Sequence, residues 1–112
     1  PVSTGAIDAR RAATDARRDA MRLERELRAN LLHSEHRLDL AGQRLDATAS
    51  QARLAADYLA RTERGFVLGE VDLPTLVAAR GRARAATLSH HEAVLMHRFL
   101  IAETNQALGV VP

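Results

Sequence analysis

A chain of 112 residues makes one domain at most, and 3% aromatic content with no tryptophan excludes a deep, jigsaw-packed globular interior. Abundant alanine with 46% apolar and 27% charged residues is the profile of a coiled coil or a thin helical bundle. The formal net charge is only +2, and cysteine is absent, which excludes a disulfide framework and a thiolate metal site.

The pI of 10.3 does not make this a nucleic-acid binder. All 16 basic residues are arginine, whose high pKa raises a pI without raising net charge. They alternate with acids, as in "RRDAMRLERELR", where Arg18, Arg22 and Arg25 interleave with Asp19, Glu24 and Glu26. Such spacing describes a solvated helix face. Aromatic residues that would stack on bases are missing from it. No apolar run approaches a membrane-spanning length, and the N-terminus does not read as a signal peptide. The chain begins at Pro1, which reads as a processed chain or an excised piece.

The pattern predicts an all-α protein, a long antiparallel helical hairpin whose first helix is the longer. The expected bounds are a helix over about 6–68, a turn over 69–73 and a helix over about 74–108. No proline lies between Ile7 and Leu68, and only Gly42 and Gly65 interrupt good helix formers. Leu31, Leu38, Leu45, Ala52, Leu59 and Phe66 recur every seven residues; four positions before each stand Leu27, Ser34, Ala41, Thr48, Ala55 and Thr62. A seven-residue repeat implies a supercoiled seam against a partner helix. Leu31, Leu38, Leu45 and Leu59 are its large residues, and the small residues between them imply close approach. In the second helix Asp72 is an N-cap candidate, and Pro74 falls where its missing N–H does no harm. Leu73, Leu76, Val77, Ala83, Leu88, Val94, Leu95, Ile101, Ala102 and Leu108 give it a broad apolar stripe, and Gly109 followed by "VVP" ends it. Because the second helix is shorter, the part of the first before roughly Asn30 lacks a partner within the hairpin.

Between the helices lies "GFVLGEVDL", 65–73. A helix end exposes carbonyls and a helix start exposes N–H groups. Phe66, Val67, Leu68, Val71 and Leu73 surround them with apolar side chains, Gly69 allows a tight turn, and Glu70 and Asp72 add negative charge. Phe66 through Leu73 is therefore the candidate partner-binding site.

The histidines are the candidates for metal. His33 and His36 are one turn apart, and His90 and His91 adjoin Glu92, with His97 further on. Folding near residue 71 sets His97 opposite about 45 and His90 opposite about 52, so the five cannot converge, and they read as solvated face residues without a metal site. No catalytic residue is expected either. There is no cysteine nucleophile and no phosphate loop, and Ser89 beside His90 diverges from it by about 100° on a helix. No cofactor is implied.

The stretch "LAADYLARTERGFVLGEVDLPTLVAARGRARAA" followed by "AVLMHRFLIAETNQALG" resembles the second helical repeat of the TolC-like outer-membrane efflux family. The shared features are an aromatic residue three positions before a turn glycine (Phe66, Gly69), an apolar helix start (Leu73, Leu76) and a Leu108-Gly109 close. The opening "TGAIDARRAATDA" is similar to the point where that family's helix leaves a membrane β-strand. The resemblance covers nearly the whole chain. It implies the periplasmic helical part of a Gram-negative outer-membrane conduit, a homotrimer when complete. Such a conduit docks through the tip onto a periplasmic adaptor, and so onto an inner-membrane pump that exports drugs, metal cations or polypeptides. Membrane contact would come only through β-strands outside these residues. The family's gating acids near the second helix start are replaced here by Thr75 and Ala78, leaving Glu70 and Asp72 as the candidates for a charged ring. The alternative is a free-standing helical scaffold or interaction protein.

Overall fold

The computed structural model describes residues 3–109. Two helices make up the fold, α1 (Thr4–Val67, 64 residues) and α2 (Leu73–Ala107, 35 residues), joined by a five-residue turn, and no strand occurs among the described residues. They lie antiparallel in a rod of 102 × 26 × 14 Å. The 64 residues of α1 account for that length at about 1.5 Å each. The segment "VVP" and Pro1 lie outside the described residues.

α1 continues unbroken through Gly42. Its face toward α2 follows the expected seven-residue rule: Ala41, Thr48 and Thr62 are buried, and Leu31, Ser34, Leu38, Leu45, Ala52, Ala55 and Leu59 are half-buried. Small residues at every second seam position let the helices approach closely. The threonines can be buried because each hydroxyl donates back to its own helix, Thr48 to the Arg44 carbonyl and Thr62 to the Tyr58 carbonyl, both at 2.8 Å. Phe66 breaks the series, being 39% exposed, and Gly65 is the buried residue at that end.

α2 departs from the broad stripe. Its covered positions are Leu76, Ala79, Ala83, Ala86, His90, Ala93, His97, Leu100 and Thr104, spaced alternately by three and four residues. Of the expected residues Leu76 is buried, and Ala83 and Val94 are half-buried. Leu73, Val77, Leu88, Leu95, Ile101, Ala102 and Leu108 are exposed. One neighbouring helix covers only a narrow seam, and the seam is chosen by what fits against the small residues of α1. Two ion pairs flank it, Arg37–Glu103 at 3.5 Å and Arg80–Glu63 at 3.9 Å, all four side chains at least 40% exposed.

The seam also corrects the reading of the histidines. His90 and His97 are half-buried between the helices, not on a solvated face, while His33, His36 and His91 are exposed. His90 Nδ1 lies 3.2 Å from Thr48 Oγ1, and His97 Nε2 points at Gly42, where an added Cβ would sit 3.9 Å away. Thr48 and Gly42 lie about one turn beyond the residues expected opposite these histidines, so the pairing there is centred near residue 69 and not 71. Among the described residues no three His, Asp or Glu side chains are grouped so as to hold a metal ion.

Residues 3–30 are exposed on every side. They continue α1 past the end of α2 as a single helix, laced by Arg22–Asp19 (2.8 Å) and Arg28–Glu24 (2.6 Å) pairs along its surface.

Candidate partner-binding site at the hairpin tip

The turn is built from backbone bonds and one carboxylate. At the end of α1 the Leu68 N–H donates to the Arg64 carbonyl (3.1 Å), Gly69 N–H to Phe66 (3.0 Å) and Glu70 N–H to Gly65 (2.8 Å). The last two are the paired closing bonds of a Schellman motif, which requires a left-handed residue just past the helix. Gly69 supplies it, with φ +76°. At the start of α2, Asp72 is the N-cap, its Oδ1 accepting from the Thr75 N–H at 3.0 Å. Hydrogen bonding from Thr75, side chain first and then backbone N–H, holds the Asp72 carboxyl below its ordinary pKa. It is therefore ionised where the positive end of the α2 dipole favours an anion.

Those bonds leave most of the apolar side chains with no part in holding the turn. Val67 is 83% exposed, Leu68 70% and Leu73 56%. Val67 and Leu68 line a shallow open notch with Ala60, Glu63 and Arg64 of α1. Val71 differs: it is half-buried against Gly65, where an added Cβ would stand only 2.7 Å from Val71 Cγ2. Gly65 also accepts the Glu70 and Val71 N–H groups, at 2.8 and 3.3 Å. It thus seats the turn on α1, a role the sequence reading had not given it. A glycine in the last turn of a helix, six positions before a β-branched residue, is the trace it leaves in the sequence.

The eight tip residues accordingly divide by task. Gly69, Asp72 and Val71 shape the turn, whereas Val67, Leu68 and Leu73 face solvent, with Phe66 partly covered and Glu70 exposed. Leu31, Leu38, Leu45 and Leu59 lie away from the tip along the α1–α2 contact. No helix among the described residues is long and apolar enough to cross a membrane. No family model, no curated protein and no solved structure matches this chain.

Proposed function

We propose that this chain is a stave of the periplasmic α-helical barrel of a TolC-like outer-membrane channel, and that its tip docks a periplasmic adaptor of a tripartite efflux system. The observation that carries the reading is the exposure of Val67, Leu68 and Leu73 at the end of a rod 102 Å long. Three large apolar side chains at a turn held by other means form a small patch suited to a partner. The outer faces of the rod point the same way. Leu40 and Leu54 on α1, and Leu88, Leu95 and Phe99 on α2, are 49–66% exposed, which suits a hairpin flanked by further helices. In this reading the chain works as a wall and a docking point, and the pump partner selects the cargo.

The experiment is Leu68→Ser, alone and with Val67→Ser, introduced into the complete channel. Adaptor binding by surface plasmon resonance is expected to weaken at least tenfold, with trimer assembly and hairpin melting unchanged. Binding equal to that of the parent would rule out the tip as the docking point. A coding sequence that ended at these residues, with no β-barrel segments on either side, would rule out the channel itself.

A further inference from the structure

We propose that the side of α2 turned away from α1 binds a helix of another chain, one whose apolar stripe is edged by carboxylates. Ala78, Gly81, Ala85, Leu88, Leu95, Phe99 and Ala102, with Glu92 among them, follow one another alternately by three and four residues. The same spacing sets α2 against α1, and here it recurs about 160° round the helix. Every member is exposed, Leu88, Leu95 and Phe99 by 60–64%. A narrow stripe of this period, about 36 Å long, matches the seam of one further helix.

Charge selects the occupant. Arg84 and Arg98, with His91 between them, edge the stripe on one flank at seven-residue intervals, and Arg82 edges the other. None of these three arginines enters an ion pair among the described residues, whereas Arg80 and Glu103, nearer α1, are paired across the seam. The edge therefore presents three free cations against one anion, Glu92. Charges at such flanking positions set the partner of a helix pair, and these require glutamate or aspartate opposite them. A second copy of this chain does not meet that requirement. Laid parallel, the same edge sets Arg84 and Arg98 on themselves; laid antiparallel over the whole stripe, it sets Arg84 on Arg98 and His91 on His91. The outer side of a second copy's α1 carries Arg44, Arg53 and Arg61 beside Asp39, Asp46 and Asp57, a mixture without net charge. Size sets the occupant's direction: Ala78, Gly81 and Ala85 leave room near the tip for large side chains, and Leu95 and Phe99 leave room only for small ones. A helix lying beside α2 lets every copy point the same way, so the inference is compatible with the conduit reading without resting on it.

Two synthetic helical peptides of about four heptads serve as probes. Both carry a stripe of leucine and alanine; one has glutamate on both flanks and the other lysine. By isothermal titration calorimetry the glutamate peptide is expected to bind the 112-residue chain about tenfold more tightly than the lysine peptide. Arg84→Glu with Arg98→Glu should reverse that preference and leave the circular dichroism and melting unchanged, since both side chains are exposed. Leu95→Ser should weaken the glutamate peptide about tenfold. Leu68→Ser, the test of docking at the tip, should leave it unaffected, so the two readings fail separately. Equal affinity for the two peptides, a preference that survives the charge reversal, or binding untouched by Leu95→Ser would overturn the proposal. A loss on Leu68→Ser would do the same by placing the peptide at the tip, as would binding of phosphatidylglycerol vesicles in place of the peptide.

Discussion

Single glycines in this molecule do opposite things, and the atoms around them predict which. At Gly65 a methyl group would collide with the stiff, β-branched Val71 at 2.7 Å. Gly65→Ala should therefore lower stability by about 1–2 kcal/mol, even though alanine is the better helix former. Urea titration of the single variant and of Gly65→Ala with Val71→Ala should show the second change recovering part of the loss. Gly81 has open space where a Cβ would go, and Gly42 has only His97 Nε2 at 3.9 Å. Alanine at either should raise stability by about 0.5–1 kcal/mol in the same titration. Asp72 carries the pH dependence. Its folded pKa is depressed, so its stabilising effect is complete above the unfolded carboxylate pKa and is lost as pH falls through the folded value. The melting temperature of the parent should fall over that acidic range by more than that of Asp72→Asn, where the titrating group is gone.

Two helices with one seam between them define the element scale, and the seam was half legible beforehand. On α1 the leucines at seven-residue spacing alternate with Ala41, Thr48 and Thr62 and leave one apolar face to choose. On α2 apolar residues lie on nearly every side, so periodicity alone did not say which would be covered. The answer came from size: Ala79, Ala83, Ala86 and Ala93 fit against close-set α1, whereas Leu88 and Leu95 do not lie on that line. Of the two histidines in the seam, His90 meets a hydroxyl at Thr48, and His97 lies over Gly42, where a Cβ would still find ordinary contact at 3.9 Å. Thr48 spends its proton on the Arg44 carbonyl at 2.8 Å, leaving its oxygen to accept from His90 Nδ1–H at 3.2 Å. Thr48→Val should consequently cost about 1 kcal/mol by leaving that N–H without a partner, and Thr48→Val with His90→Leu should cost less. Equal losses in thermal melts of the single and the double variant would remove the pair from the list of stabilising contacts. Leu45→Asp or Leu59→Asp, by contrast, sets an unpaired charge in the seam and should cost about 2 kcal/mol or more.

At the scale of the whole molecule, stability is unevenly distributed. All interhelical burial lies between residue 31 and the tip, while residues 3–30 are held only by their own helical bonds and surface pairs such as Arg28–Glu24. Exposed pairs of that kind contribute about 0.3–0.5 kcal/mol each. Amide hydrogen exchange in dilute solution should show amides of residues 8–30 exchanging at least tenfold faster than those of 45–62 and 79–100. Removing the first 30 residues should leave the melting temperature of the hairpin within about two degrees of the parent's, since no buried contact is lost. The exposed leucines on the outer faces and at the tip belong to this scale too. They add nothing to a hairpin standing alone, and in the proposed channel they would face neighbouring helices and the adaptor.

Helix content, the single reversal, the unequal lengths and the unpartnered first thirty residues were settled by sequence alone. They depend on local matters: helix-forming residues, a capping aspartate before a proline, and a glycine where the backbone must turn left-handed. Tertiary structure decided the face of α2, the burial of His90 and His97, and the seating of Val71 on Gly65. Those outcomes depend on how near two helices can come, and that distance is fixed jointly by side chains far apart in the chain.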